Sequence, residues 1–257
     1  MTIRLREICR LAMTMLAAAL LLPAPSHAQE LTEFSAYYEA STNGISGNAE
    51  RHLVHQGDER YRLNISLEAK VGGIEIGDLE QSSEFFWTGQ QIQPEQYHYQ
   101  VSGVSSDVES VSFNWDAKMA ISAEEDQSWT LELKDGVLDQ MTYQLALALD
   151  LLEVKEEQGE NDSTRLLQYS LVDGPVIEEH QFRVLGEEII TTPLGRLRCL
   201  KLERVRETEN GRSTEIWLAQ DWENLLVRIE QGNPSGLQIE LALTMALVDG
   251  ETVTPLP

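Results

Sequence analysis

Long stretches of strictly alternating apolar and polar residues limit most strongly what this chain can fold into. Over Arg60–Val71 every odd position is apolar, beginning with Tyr61, and every even position is polar or charged. Because side chains alternate between the two faces of a strand, this pattern predicts one buried and one solvated face. The alternation recurs over Leu237–Leu247, with Leu243, Met245 and the other odd positions on the buried face. Such patterns are typical of antiparallel sheets.

Shorter alternating runs and turn-forming residues extend this pattern along the chain. The shorter runs are Phe34–Tyr38, Tyr97–Val101, Val111–Trp115, Ile216–Leu218 and Leu225–Ile229. The turn signals are Asn43-Gly44, Gly57-Asp58, Gly72-Gly73, Thr88-Gly89, Asp173-Gly174, Asn210-Gly211 and Gly232-Asn233-Pro234. Together they predict about a dozen strands joined at hairpin-like intervals.

One helix is predicted among the strands. Asp139 is suited to cap a helix that runs to Leu152. Five apolar side chains recur at helical spacing on one face: Met141, Leu145, Ala148, Leu149 and Leu152. The charged stretch Glu153–Arg165 that follows is predicted to be a flexible loop.

These elements indicate a mainly β fold in which the sheet must shelter its apolar face. We expect a strongly curved antiparallel sheet, or a partly open β-barrel, covered by the one amphipathic helix. A β-sandwich is the alternative. Glycines inside or beside strands are expected to concentrate the curvature, namely Gly72, Gly73, Gly77, Gly186 and Gly195.

The first 28 residues have the composition of a cleavable secretory signal. Arginines precede the apolar run Leu11–Leu22, and the small residues of Ser26-His27-Ala28 follow it. The run is too short to span a bilayer as a helix. We therefore expect a soluble periplasmic protein beginning near Gln29, without a transmembrane segment once the signal is removed. Residues 29–257 form a single β-rich domain in this interpretation.

The charge and cysteine content exclude some functions and stabilising devices. The chain carries a formal net charge of −24. Such a chain is repelled by nucleic acid, so nucleic acid is excluded as a partner. Cys199 is the remaining cysteine after signal removal, which rules out an intramolecular disulfide. The fold must therefore be stabilised by its apolar core.

Several segments of the second half carry a resemblance to a known family. They are Thr192-Pro193-Leu194-Gly195, Leu200–Arg204, Trp217-Leu218-Ala219 and Val227–Glu230. A looser agreement in the first half involves Phe34–Tyr38, Gly47–Glu50 and Tyr61-Arg62-Leu63. In these segments the chain resembles the domain-of-unknown-function 3108 family (DUF3108) of exported bacterial proteins, over about residues 31–247. Asn224–Val227 departs from the family pattern, which has a proline here.

The resemblance implies an exported β protein and supplies no catalytic residues. A curved sheet covered by a helix is also similar to the periplasmic carriers that shuttle lipoproteins. That similarity concerns the fold, and a fold alone does not establish a function.

No catalytic, cofactor or metal site is assigned from the residue patterns. His52, His55, His98 and His180 are dispersed and lack the convergent ligands that zinc needs. Cys199 alternates with Leu197 and is interpreted as a core residue. Arg196, Arg198, Arg204 and Arg206 indicate cross-strand ion pairs or, alternatively, an anion site. The acidic stretch Glu156–Asp162 lacks the ligand spacing of a calcium loop.

Two functional hypotheses remain, and the non-enzymatic one is favoured. In the first, the chain is a periplasmic binding or carrier module for an apolar ligand, with a lipid or an envelope protein as partner. Its candidate ligand-binding residues are Met141, Leu145, Leu149 and Leu152. The alternative is an envelope hydrolase that uses scattered carboxylates or His98 and His180. Whether the apolar face encloses a cavity or a solid core stays open at this point.

Overall fold

A computed structural model describes residues 30–43, 45–104, 106–158, 166–205, 212–233, 236 and 238–257, without the side chains of residues 153–158. The predicted signal at residues 1–28 lies outside these ranges, as do Gly44, the Asn210-Gly211 turn, Pro234, Arg206, Leu237 and part of the acidic stretch. The strands are β1 (Phe34–Thr42), β2 (Ile45–Gly57), β3 (Arg60–Val71), β4 (Ile74–Trp87), β5 (Ile92–Gly103), β6 (Asp107–Asn114), β7 (Met119–Glu124), β8 (Gln127–Glu132), β9 (Val137–Leu138), β10 (Leu166–Asp173), β11 (Val176–Thr192), β12 (Gly195–Arg204), β13 (Ser213–Ala219), β14 (Leu225–Gly232), β15 (Gln238–Val248) and β16 (Glu251–Thr252), and the helix is α1 (Thr142–Gln158).

All of these strands belong to one sheet. Its order is β8-β7-β6-β5-β4-β3-β2-β1-β15-β14-β13-β12-β11-β10-β9, and β16 pairs with β15. Neighbours are antiparallel except for β9 and β10. The two halves of the chain each form a meander, and the pairing of β1 with β15 joins them at the centre of the sheet. The strands β8 and β9 are its two edges. The predicted curved antiparallel sheet is confirmed, and the sandwich alternative is wrong because the strands form a single sheet.

The sequence alternation accounts for the two faces of the sheet. Strand β3 has the predicted bounds, and its inward residues Tyr61 and Leu63 are buried. Strand β15 follows the pattern only in part, because a bulge opposite Tyr37 shifts its register and leaves Thr244 unpaired in the ladder. A bulge turns the following side chains to the other face. Met245, predicted to be buried, is therefore 44% exposed, and Ala246 is buried in its place.

Bulges also bend the sheet. Register shifts occur in several strand pairs, among them β2 with β3, β4 with β5, and β11 with β12. In β11 the shift lies next to Gly186, which has a φ of 125°. Residues with a Cβ atom rarely adopt this conformation, whereas glycine adopts it readily. A bulge bends the strand that carries it. Gly186 therefore lies at a point where β11 bends, as expected for a glycine inside a strand.

The Thr192–Gly195 segment forms the β11–β12 turn and fastens distant parts of the chain. The Leu194 amide donates a hydrogen bond to the Leu243 carbonyl of β15 at 3.2 Å. The Leu256 amide donates to the Arg196 carbonyl at 2.7 Å, and a Cβ on Gly195 would lie 2.6 Å from Pro255 Cβ. This turn therefore holds the C-terminal tail against the sheet.

Helix α1 begins where the sequence predicts and ends later. Asp139 Oδ1 accepts hydrogen bonds from the amides of Met141 and Thr142, each at 2.8 Å. The helix then continues to Gln158, six residues beyond the predicted end at Leu152. The prediction of a loop from Glu153 onward is therefore wrong as far as Gln158. Glu, Lys and Gln have high helix propensity, and a charged helix end extends readily from an anchored first half.

The described side chains of α1 are buried or half-buried around the whole helix from Thr142 to Leu152. The leucines of this segment fall on several sides of the helix, and a helix that is apolar all round is typically enclosed. The helix packs against β5 and β10. Tyr169 Oη of β10 donates to Asp150 Oδ2 at 2.7 Å, and Asn224 Nδ2 donates to the Ala148 carbonyl at 3.0 Å.

Removing the helix cap tests how α1 is anchored. Asp139 is fully buried, and its Oδ2 accepts a hydrogen bond from the buried Ser83 Oγ at 2.5 Å. We expect Asp139→Ala to lower the free energy of unfolding by about 2 to 4 kcal/mol, because it removes the cap and leaves the Ser83 hydroxyl unpaired. Urea unfolding followed by circular dichroism measures this loss. The control is Asp135→Ala, whose side chain is 80% exposed, with an effect within about 0.5 kcal/mol. Equal losses in the two variants would contradict this anchoring.

Candidate functional site

The inner face of the sheet is not completely filled, and a narrow cavity of about 60 Å³ lies between α1 and the sheet. Leu145, Leu149 and Leu152 line this cavity together with residues of the β13–β14 turn. Met141, the fourth candidate from the sequence, is completely buried in the core and is not among the lining residues. Three of the four candidate side chains therefore meet at one space, and their role in binding stays a prediction.

A larger cavity of about 400 Å³ continues along the inner face of β1–β4, β14 and β15. It extends to residues beside the β1–β2 turn, including Thr42 and Ile45. Most of its lining is aliphatic, notably Ile45, Ile65, Leu67, Leu79, Ile229 and Leu241. Its volume is in the range of sites for small organic ligands, which are typically apolar with few polar groups.

Four residues line both cavities and form the wall between them: Arg51, Gln144, Leu226 and Ile229. Arg51 is the charged member, and only 6% of the residue is exposed. Its guanidinium lies 5.5 Å from the ring centroid of Phe34, and its Nε has no hydrogen-bond partner in the described part of the chain. The wall therefore places a cation inside an otherwise apolar space.

Two tyrosines surround this cation. Tyr38 Oη donates a hydrogen bond to the Leu226 carbonyl at 2.9 Å, and burial raises the pKa of Tyr38 to about 12, although the nearby Arg51 opposes the rise. Burial also raises the pKa of Tyr143. Both phenols are therefore neutral at physiological pH. Burial lowers the pKa of Arg51, but a guanidinium remains protonated in proteins, so the positive charge lacks a fixed counter-charge here.

The site residue that the sequence analysis overlooked is Arg51. Strand β2 alternates, and Arg51 is in phase with the buried Ala49 and Leu53. It lies opposite Ala36 of β1 and Ile65 of β3. An arginine at an inward position between two apolar residues is the signal that would have identified it, since Arg is rarely buried without a partner.

The histidines lie apart from one another and from both cavities. His98 is exposed on β5, whereas His180 is buried and its Nε2 lies 3.4 Å from Glu178 Oε2. Burial lowers the pKa of His180. His52 contacts Ser35 and Glu50. Within the described ranges no group of three or more potential ligands is placed to hold a metal ion. The hydrolase alternative stays a prediction without a supporting constellation.

The arginines of β12 have separate partners. Arg196 Nη1 donates to the Pro257 carbonyl at 3.2 Å, and Arg198 Nη1 lies 3.9 Å from Asp221 Oδ1. Arg204 is half-buried, and Arg206 lies outside the described residues. The two described contacts of Arg196 and Arg198 are therefore to different segments of the chain, and neither adjoins the cavities.

Comparison with known families and structures gives one family match and similar folds. A family model described as a protein of unknown function (DUF3108) matches residues 33–242. No curated protein matches the chain. The crystal structure of a β-barrel-like protein of domain of unknown function DUF1849 from Brucella abortus aligns with a TM-score of 0.54 at 9% identity, over 86% of this chain and 99% of that one. At this identity the likeness concerns the fold alone.

Two further solved structures align at lower similarity. A candidate lipoprotein from Parabacteroides distasonis gives a TM-score of 0.34 at 10% identity, over 85% of this chain and 96% of its own. A candidate exported protein with a YmcC-like fold from Bacteroides fragilis gives 0.36 at 11% identity, with the same coverage. The described part of this chain contains no helix with the length and hydropathy needed to cross a membrane.

The buried cysteine gives a direct test of the core. Cys199 is completely buried, and burial, with Glu188 and Asp221 as smaller causes, raises the pKa of its thiol to about 12. The reactive thiolate is therefore scarce at neutral pH. In protein without Cys9, we expect an aromatic disulfide reagent to leave Cys199 unmodified in the native state and to react promptly after unfolding in urea. Rapid modification of native protein would show that this part of the core opens.

Proposed function

The chain belongs to the DUF3108 family of proteins of unknown function, and we propose that it is a non-enzymatic binding or carrier module that holds an apolar ligand inside its curved sheet. The observation that carries this proposal is the cavity of about 400 Å³ on the inner face. Protein interiors are normally close-packed, with few voids larger than a water molecule. A space of this size with an aliphatic lining is therefore a reason to expect a ligand.

The chemistry of the lining supports binding rather than catalysis. Arg51 and Gln144 are neither nucleophiles nor general bases, and the lining hydroxyls of Ser41, Thr42 and Ser46 have no histidine beside them within the described part of the lining to activate them. Among the described lining residues, Glu50 contributes a carboxylate, but its Oε2 lies 3.3 Å from the ring of His52 on the half-exposed side of β2. A hydrolase needs a nucleophile or base in contact with its substrate. The lining favours a site that holds its ligand without changing it.

The apolar ligand is the better candidate for the cavity occupant than an envelope protein. A cavity of about 400 Å³ is comparable with sites for small organic molecules, and it is a concave space with an opening beside the β1–β2 turn. We propose the periplasm as the location, on the strength of the signal-like pattern in residues 1–28. A lipid or a similar hydrophobic molecule of the cell envelope is the ligand class that fits both proposals.

Binding of a neutral hydrophobic probe tests the proposed function. We expect N-phenylnaphthylamine to gain fluorescence with the native protein, and native mass spectrometry of protein purified from a lipid-containing host to reveal a lipid-sized ligand. Leu67 is half-buried and lines the cavity. Leu67→Trp should weaken probe binding about tenfold or more, because the indole occupies space that the ligand needs.

The matched control is Ile121→Trp, which adds the same side chain on β7. Ile121 is 55% exposed and is not among the residues that line the cavity. Its probe affinity should equal that of the unmodified protein. If the native protein binds no probe and carries no ligand, the carrier proposal fails. If the two tryptophan variants weaken binding equally, the probe binds elsewhere than in this cavity.

A further inference from the structure

The buried guanidinium of Arg51 differs from the other arginines of the sheet. Arg60, Arg183 and Arg228 each lie within 3.0 Å of a glutamate oxygen on the outer, partly solvated surface. The Nε atoms of Arg62 and Arg228 also lack a hydrogen-bond partner, but those two side chains pair with glutamates, whereas Arg51 has no ion pair with any described residue. Burying a charge without a counter-charge costs considerable free energy, so an unpaired internal cation calls for an explanation.

The contacts that Arg51 does make compensate for this cost only partly. The ring of Phe34 lies 5.5 Å away, a distance at which a cation–π contact is favourable. The phenol oxygen of Tyr38 accepts a hydrogen bond from the Arg51 guanidinium, while the hydroxyl hydrogen is donated to the Leu226 carbonyl. Both neighbours favour a positive charge without neutralising it. Arg51 also lines both cavities, so the guanidinium donors that Tyr38 does not use face an incoming molecule.

We propose that the ligand is an amphiphile with one anionic headgroup, a carboxylate or a phosphate, which pairs with Arg51 while its hydrocarbon chain lies along the aliphatic lining. This inference rests on the proposed binding function and specifies its ligand class. A guanidinium offers a planar set of donors that matches carboxylate and phosphate oxygens bidentately. Ile65 lies directly opposite Arg51 on β3, and Leu67 follows on the same face, so the apolar path begins at the headgroup site.

Gln144 supplies a second polar group at the same place. It lies on the first turn of α1 and lines both cavities beside Arg51. A glutamine amide carries two donor hydrogens, so the hydrogen bond of Gln144 to the Tyr143 side chain leaves one donor for a headgroup oxygen. The helix therefore presents a neutral donor where the strand presents the charge, and both line a mostly apolar space.

The net charge of −24 opposes anions at long range, but it does not decide binding inside the cavity. Charges on the outer surface are screened over about 8 Å at physiological ionic strength, whereas a buried pair is screened much less. The local guanidinium therefore dominates once the headgroup is inside. Association of an anionic amphiphile should become faster as salt is added, because the repulsive surface field is weakened.

Displacement of N-phenylnaphthylamine by matched compounds tests this proposal. The competitors are palmitate, hexadecyl phosphate, methyl palmitate and hexadecanol, each used below its critical micelle concentration. We expect one or both anions to displace the probe at concentrations about 10- to 100-fold lower than the neutral compounds, as for a hydrogen-bonded charge pair. The relative potency of palmitate and hexadecyl phosphate identifies the preferred headgroup.

Variants at Arg51 assign the preference to this side chain. Arg51→Met should remove the advantage of the anions, so that palmitate and hexadecyl phosphate become no more potent than methyl palmitate when all are measured in this same variant. Arg51→Lys keeps the charge without the planar fork, so a reduced preference should remain. The control is Arg183→Met, an exposed arginine of β11 that pairs with Glu203 at 2.8 Å, and it should behave like the unmodified protein.

The outcomes separate this inference from the carrier proposal. If neither palmitate nor hexadecyl phosphate is more potent than the neutral compounds in the unmodified protein, the anion inference is overturned, even if Arg51→Met does not fold. The carrier proposal is left standing by that result. An anion preference that persists in Arg51→Met also overturns it. Failure of the unmodified protein to bind the probe and every competitor overturns both proposals.

Discussion

The structure depends on covering the apolar inner face of a sheet that curls without closing. The meander has two edge strands, β8 and β9, and its halves meet through the pairing of β1 with β15. A single curved sheet of this kind must bury its inner side chains against something other than a second sheet. Helix α1 fills that role, and its position therefore determines which part of the interior is solid and which part is hollow.

Three polar anchors fix the helix with respect to the sheet. Asp139 joins its first turn to Ser83 of β4, Asp150 accepts from Tyr169 of β10, and the Ala148 carbonyl accepts from Asn224. Asn224 has a φ of 52°, a left-handed conformation that asparagine tolerates better than most residues, so the turn that holds this anchor depends on the residue type. Because the helix is anchored near β4, β10 and the β13–β14 turn, the space in front of β1–β3 and β15 is left unfilled.

Local periodicity predicted a large part of this fold and little of the site. Strand β3 and the cap at Asp139 match expectation because each is determined by neighbouring residues. In β15 a bulge changes which residues face inward, and this bulge arises where β15 pairs with Tyr37 of β1, far away in the chain. The alternation within β15 alone therefore could not predict the bulge. The strands β7 and β8 are short and have weak alternation, so the sequence pattern did not predict them. They are among the strands that the structure has beyond the dozen expected. The cavities arise from the placement of α1 against remote strands, which no local pattern describes.

The inward position of Arg51 could nevertheless have been predicted from the sequence. In a strand with a period of two, the phase decides which side chains enter the interior, whatever their chemistry. On the outer face an arginine finds a glutamate across the strands, as Arg228 does with Glu240, and such pairs contribute little beyond solubility. At an inward position the same residue type changes the chemistry of the entire cavity. In the proposed function, a few inward positions of β2, β3 and α1 would therefore determine which molecule the interior holds, while the surrounding sheet needs only aliphatic residues to form.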